Sequence, residues 1–181
     1  MKILSNIVGI HNFLLTLITE IVFKNCIMYT KCQRKLILKF INNNEGDLFI
    51  DEKVLNDPLD NQIQIEIDYA GINRADILQR KGHYPPPKGE SEIIGLECSG
   101  KVSKIGRLVK KFSLGDQVCA ILAGGGYAEF VNVDEKQVMP LPSNLNSLEA
   151  GGLPETTLTV YENIFNVSNF QKDESILIHG G

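Results

Sequence analysis

The sequence predicts a mainly β domain, a sandwich or a barrel, that runs into the opening of an α/β unit. Three observations carry that class. First, Ile63, Ile65, Ile67 and Tyr69 alternate with Gln62, Gln64, Glu66 and Asp68. This strict period of two marks a half-buried antiparallel strand. Second, several more short apolar runs follow, separated by Gly106, Gly115 and the triplet Gly124–Gly126. Short strands with glycine and proline turns indicate a sandwich or barrel. Third, the texture changes near Ser147. After Pro154, the apolar residues Leu158, Tyr161, Ile164 and Phe165 fall at helical spacing. Ser175–His179 is then an apolar run of the kind that fills a doubly covered parallel strand, and it leads into Gly180-Gly181.

The elements follow in order. Residues 36–41 form a strand, Asn42–Gly46 a turn cluster, and Leu48–Ile50 a second short strand. Residues 56–61 form a loop before the alternating strand. Asn73 is a helix N-cap, and Asp76 three residues later complements the helix dipole. Gly82 ends that helix. His83-Tyr84-Pro85-Pro86-Pro87 is a stiff extended loop. Strands are expected over Gly95–Ile105, Gln117–Ile121, Ala128–Val133 and Gln137–Leu141. Ser147 caps a short helix over Leu148–Gly151.

Composition narrows the function classes. The 181 residues are 43% hydrophobic and 22% charged, with a net charge of −4. That suits a soluble core-forming domain plus part of a second. With no long Lys/Arg run, phosphate-neutralising nucleic-acid binding is excluded as a leading reading. Cys26, Cys32, Cys98 and Cys119 form no Cys-x-x-Cys pair and no finger spacing with histidine, so they are read as reduced thiols.

Residues 1–27 stand apart. Lys2 precedes a mostly apolar run to Phe23, interrupted by Ser5, Asn6, His11, Asn12 and Glu20. A cleaved signal lacks its small-residue site, a membrane helix would bury Glu20 and His11, and a mitochondrial presequence would carry arginine. The domain itself reads as starting at Met28. Residues 1–27 are then an apolar appendage, and the sequence leaves their status open.

The ordered motifs AGINRADILQRKGHYPPP, GLECSGKVSKIG, SLGDQV, GGGYAEFV and LPETTLTVY resemble the medium-chain dehydrogenase/reductase superfamily over about residues 36–181. Within it they are most similar to the zinc-independent quinone oxidoreductase branch that includes zeta-crystallin, and especially to tumour-suppressor-inducible quinone oxidoreductases. The resemblance implies a GroES-like, partly open β-barrel over residues 28–154. Residues 155–181 would be the linker helix and first strand of a Rossmann domain, which the sequence reads as incomplete because the rest of the Gly-rich turn lies past Gly181. The 181 residues alone are therefore expected to hold NADPH weakly and not to turn over.

The resemblance also bears on metal. Zinc-dependent members place Cys where Asn73 stands and Gly-His-Glu where Gly95-Leu96-Glu97 stands, and they insert a four-Cys lobe near Gly124–Tyr127. Catalytic zinc needs about three protein ligands, and Glu97 alone cannot supply them. No metal is expected. The implied chemistry is hydride transfer from NADPH to a quinone or activated alkene, with the protein positioning the partners.

Site residues carried over by the resemblance are Asn73 and Tyr84 on the substrate side, and Tyr84, Thr159, Gly180 and Gly181 on the cofactor side. Each also has a plainer reading. Asn73 is a helix cap, Tyr84 a surface ring against Pro85, and Thr159 a helix-face residue. Glu155 is either near the pocket or a helix N-terminal carboxylate. Arg74 and Asp76 read as an exposed pair, Asp116 as a turn anchor, Cys98 and Cys119 as inert core, and His179 as strand packing. Gly124–Gly126 reads as a turn rather than a phosphate cradle. The expected partners are a small-molecule quinone or enone and, by resemblance, a second copy of the chain; neither nucleic acid nor membrane is expected. A cytoplasmic location is expected, with mitochondrial or membrane-associated placement as alternatives that depend on residues 1–27. The competing function is a non-enzymatic GroES-like module that binds a protein or a small apolar ligand.

Overall fold

The computed structural model describes residues 37–44 and 47–178. The extension over residues 1–27 and the residues His179, Gly180 and Gly181 lie outside the described residues. β1 (Ile37–Asn44) and β2 (Asp47–Val54) pair antiparallel, with Asn44 opposite Asp47. The turn expected over 42–46 is therefore narrower. Asn42 and Asn43 pair with Phe49 and Leu48, so ladder hydrogen bonding overrides the turn preference of asparagine.

Five further strands make one antiparallel sheet. They are β3 (Gln62–Tyr69), β4 (Glu97–Ile105), β5 (Gln117–Ile121), β6 (Phe130–Asp134) and β7 (Val138–Pro140), in the order β6-β3-β4-β5-β7. β6 and β7 end the order without pairing with each other, and a 3-10 turn over Glu135–Gln137 joins them. The β3–β4 register shifts at Gln64/Ile65 and again at Ile67/Tyr69. Such bulges bend and twist a strand, which suits a mainly β, partly open barrel.

The apolar phase of β3 builds the core. Ile63, Ile65 and Ile67 pack with Cys98 and Val102 of β4, Val118 and Ala120 of β5, Val131 and Val133 of β6, and Val138 of β7. Burying each large aliphatic side chain stabilises by roughly 1.5–3 kcal/mol. The strand is less simply half-buried than its alternation implies, because Gln64 is buried as well. Its amide donates to the Asn56 carbonyl and to Asn132 Oδ1, and Ser103 Oγ donates to its backbone carbonyl. The buried amide is thus satisfied on both edges of β3.

Among the described residues, three α-helices accompany the sheet. α1 (Arg74–Arg80) starts at Asn73 and ends before Gly82, whose φ of 69° is left-handed, as expected of a residue just past a helix end. α2 (Ser147–Ala150) is capped by Asn146 rather than Ser147. Asn146 Oδ1 accepts from the Glu149 N–H, and the Glu149 carboxylate accepts from the Asn146 N–H, a reciprocal capping box. Ser147 instead donates to Asp68 at 3.0 Å and accepts Ser99 Oγ on its carbonyl. α3 (Pro154–Tyr161) carries Pro at its first position and continues as a π turn over Glu162–Val167. It is the helix expected after Pro154. The strand expected at Ser175–His179 is not formed over 175–178. Ile176, Leu177 and Ile178 are exposed. A strand needs a neighbour for its N–H and C=O groups, and among the described residues none lies beside this segment.

Candidate functional site

The site is built where α1, the segment ahead of β4 and the start of α3 meet. Glu97, the first residue of β4, is 1% exposed. Its Oε1 accepts from Asn73 Nδ2 at 2.7 Å, and its Oε2 accepts from the Glu155 N–H at 2.9 Å. That N–H belongs to the first turn of α3, where a helix has unpaired donors and favours negative charge. A buried carboxylate is costly unless hydrogen-bonded, and here each oxygen has a donor.

Gly71 makes room for it. A Cβ on Gly71 would lie 2.0 Å from Glu97 Oε1, so the backbone and the carboxylate can meet only without a side chain. The Gly71 carbonyl also accepts from the Tyr127 hydroxyl at 3.2 Å. Tyr127 follows the glycine triplet and is buried.

Asp76 forms the other side. Its Oδ2 accepts from the Asn73 N–H at 2.6 Å, and Oδ1 has no hydrogen-bond partner. Asp76 is 3% exposed, which corrects the expectation of an exposed Arg74–Asp76 pair. Arg74 does point outward. The helix phase explains the split: α1 turns Asp76 and Gln79 inward, and Gln79 receives the Gly95 N–H and donates to the Ala123 carbonyl. Burial is the main influence pushing the Asp76 carboxyl above its ordinary range, with the Asn73 N–H acting the other way. Burial, then the neighbouring Asp76, pushes the Tyr127 phenol upward. Burial, then Glu97, raises the Glu155 carboxyl.

The expected residues are brought together only in part. Asn73 and the start of α3 meet through Glu97. Thr159 lies further along α3, exposed, with its carbonyl accepting from Asn163 Nδ2 at 2.7 Å. Tyr84 is 50% exposed on the loop after α1. Neither the Tyr84 hydroxyl nor the Thr159 hydroxyl makes a hydrogen bond among the described residues. Gly180 and Gly181 lie outside the described residues. The triplet is not a cradle: Gly125 and Gly126 donate their N–H groups to the carbonyls of Ile93 and Gly95. Asp116 anchors its turn, with Oδ2 accepting from the Ser113 N–H. Cys98 and Cys119 are buried, and burial raises both thiols. A cleft of about 390 Å³ lies elsewhere, bounded in part by Asn61, Gly124, Asn132, Asp134 and Lys136, and includes none of Asn73, Tyr84, Glu97, Glu155 and Thr159.

The sequence marks Glu97 only as an insufficient metal ligand, and it does not mark Gly71 or Tyr127 as site residues. The usable signal was an acid inside the apolar stretch Ile93–Cys98. An acid in such a place is buried and therefore paired.

Residues 59–143 match the family described as the alcohol dehydrogenase GroES-like domain. The mouse (Mus musculus) protein "synaptic vesicle membrane protein VAT-1 homolog-like" is 30% identical over 132 residues, which are 73% of this chain and 32% of that protein. The solved structure of CurK enoyl reductase is 26% identical with a TM-score of 0.67, over 74% of this chain and 44% of that one. Escherichia coli quinone oxidoreductase complexed with NADPH is 29% identical with a TM-score of 0.59, over 73% of this chain and 41% of that one. The chain thus spans a third to less than half of the proteins it is compared with here. From the ordered motifs, the open β-barrel and these likenesses, the chain carries a GroES-like domain of the medium-chain dehydrogenase/reductase superfamily.

Proposed function

We propose that this chain is the substrate-side part of an NADPH-dependent, zinc-independent oxidoreductase that reduces a quinone or an activated alkene. The observation that carries the reading is the Asn73–Glu97 pair. An amide held by a buried carboxylate occupies the ground where zinc-dependent members place ligands. NADPH, when bound, supplies the hydride. The reading assigns these residues to its nicotinamide end only, because the N–H groups of Gly125 and Gly126 are already committed to backbone carbonyls. Thr159 and Tyr84 present free hydroxyls at exposed positions. Asn73 orients the acceptor, and Tyr84, stiffened by the three prolines after it, offers a phenolic proton to the reduced oxygen. The likeness to both an enoyl reductase and a quinone oxidoreductase leaves the quinone and the activated alkene as the two acceptor classes to assay.

The test uses the full-length protein. NADPH oxidation should depend on a quinone or an enone, and elemental analysis should find no stoichiometric zinc. Tyr84→Phe and Thr159→Ala should each lower kcat/KM by about tenfold, which corresponds to roughly 1.4 kcal/mol of transition-state stabilisation. One tightly held zinc per chain, lost together with activity on chelation, would overturn the branch assignment. A second reading, a non-enzymatic binding module, is favoured by the apolar residues Val160, Tyr161, Phe165 and Val167 exposed on and after α3. Absence of turnover with either acceptor class, in protein that stays folded, would favour it.

A further inference from the structure

We infer that Glu97 is a positioning residue that locks the substrate-side Asn73 to the helix that carries Thr159, so that the two halves of the site are set by one carboxylate. This rests on the proposed function for its catalytic consequence but not for its geometry.

The geometry is specific. One oxygen of Glu97 holds the side chain of Asn73, and the other holds the first turn of α3. Asn73 is itself fixed from behind, because its N–H donates to Asp76. Its amide is therefore gripped at two points, the backbone by α1 and the side chain by β4. Pro154 adds rigidity on the far side. It occupies the first position of α3, so the Glu155 N–H is the first free donor that helix offers. Thr159 lies four residues beyond Glu155, about one turn of helix away. A shift of the Glu97 carboxylate thus moves an amide on one side and a helix start on the other.

A carboxylate meets both demands. Two donors converge on the residue, and a carboxylate is acceptor-only. A glutamine offers one acceptor and brings a donor against one of the two N–H groups. Hydrogen bonds to a charged acceptor are also about twice as strong as neutral ones. Gly71 shows the same constraint from the opposite wall: even one methyl group would displace Oε1.

The test has two arms. In this chain, amide hydrogen exchange is followed at Glu155 in the parent protein, in Glu97→Met and in Gly71→Ala. Methionine keeps the length and removes both acceptors, while Gly71→Ala keeps the carboxylate but drives it away. Both should speed exchange at Glu155 by about tenfold or more, with the core amides of β3 unchanged. Should Glu97→Met fail to fold, Gly71→Ala still decides. In the full-length protein, Glu97→Met should raise the KM for acceptor and the KM for NADPH together. Asn73→Ala should raise only the first, and Thr159→Ala only the second. A merely structural defect would lower the active fraction and so kcat, leaving both KM values in place. Unchanged exchange at Glu155 in both variants overturns the inference, as does a fall in kcat alone. If no activity is found with any acceptor, the functional reading fails, and accelerated Glu155 exchange would still establish the lock.

Discussion

The interior of this domain is of two kinds, equally sealed and differently built. Around Ile63, Ile65, Val118 and Ala120 the packed side chains form an apolar cluster, and the one buried amide beside it, Gln64, is turned to the flanking strands by its own hydrogen bonds. A few residues away Asp76, Glu97 and Ser99 are buried just as deeply and are all polar. The first region is held by area removed from water, which has no direction. The second is held by hydrogen bonds that fail if a donor moves by an ångström. The apolar half therefore carries most of the stability. The polar half carries the orientation of α1 and α3, which is what a site needs.

The largest expected effect lies in the apolar half. Ile65 is fully buried between β6 and β4. Ile65→Ala should cost about 3 kcal/mol, from lost transfer energy plus the cavity left behind. Denaturant unfolding with an unchanged m-value is the measurement. A loss under about 1 kcal/mol would mean that the sheet collapses around the gap, and the division into two interiors would lose its basis.

A smaller effect of opposite sign is expected in the polar half. The two buried acids differ: both oxygens of Glu97 accept well-formed hydrogen bonds, but Asp76 Oδ1 accepts none of ordinary geometry, and the Tyr127 hydroxyl and Leu96 N–H near the carboxyl only partly offset its burial. Burial holds the Asp76 carboxyl above its ordinary value of 3.8. A raised carboxyl binds its proton more tightly folded than unfolded, so its contribution is fully present below 3.8 and is lost as pH rises through the folded value. At neutral pH the charged form is therefore a burden on the fold. Asp76→Asn keeps an oxygen for the Asn73 N–H and removes that burden. It should be more stable than the parent at pH 7, with the gap closing as pH falls toward 4. A variant that is less stable at every pH would show that the charge itself is needed there.

The same division explains what the sequence could reveal. The period of two at Ile63–Tyr69 is a direct consequence of the pleat, so β3 was legible residue for residue, and β5 likewise. The cap at Asn73 was legible because the Asx residue and the acid three positions on are local chemistry. The partners of Glu97 were not. Asn73 and Glu155 lie 24 and 58 positions away in the chain, and no periodicity links them. Asp76 was misplaced for the same reason, since facing inward depends on Leu96, Glu97 and Tyr127 meeting it in space. The segment Ser175–Ile178 failed in the other direction. Its apolar run satisfies a strand pattern, but a strand is made by its neighbour, and pattern alone does not supply one.

The smallest expected effect sharpens the comparison by holding distance constant. Arg107 donates from Nε and Nη2 to the two oxygens of Asp60 at 2.8 and 2.6 Å. Those lengths match the 2.7 and 2.9 Å at Glu97. The surroundings differ: the Arg107 side chain is 84% exposed and that of Asp60 46%. In water the Coulomb attraction is screened and each long side chain gives up freedom to hold the pair, so exposed pairs contribute little. The pairing does hold the Asp60 carboxyl below its usual range and raises the Arg107 guanidinium, but solvent shares that interaction. Arg107→Ala should therefore leave Tm within experimental scatter at physiological salt, with at most a slight fall at low ionic strength. Glu97→Met, which breaks contacts of equal length in the interior, should lower Tm measurably at either salt. Equal losses for the two variants would mean that contact length, and not the medium around it, sets the strength of polar contacts in this domain, and the distinction between its two interiors would have to be redrawn.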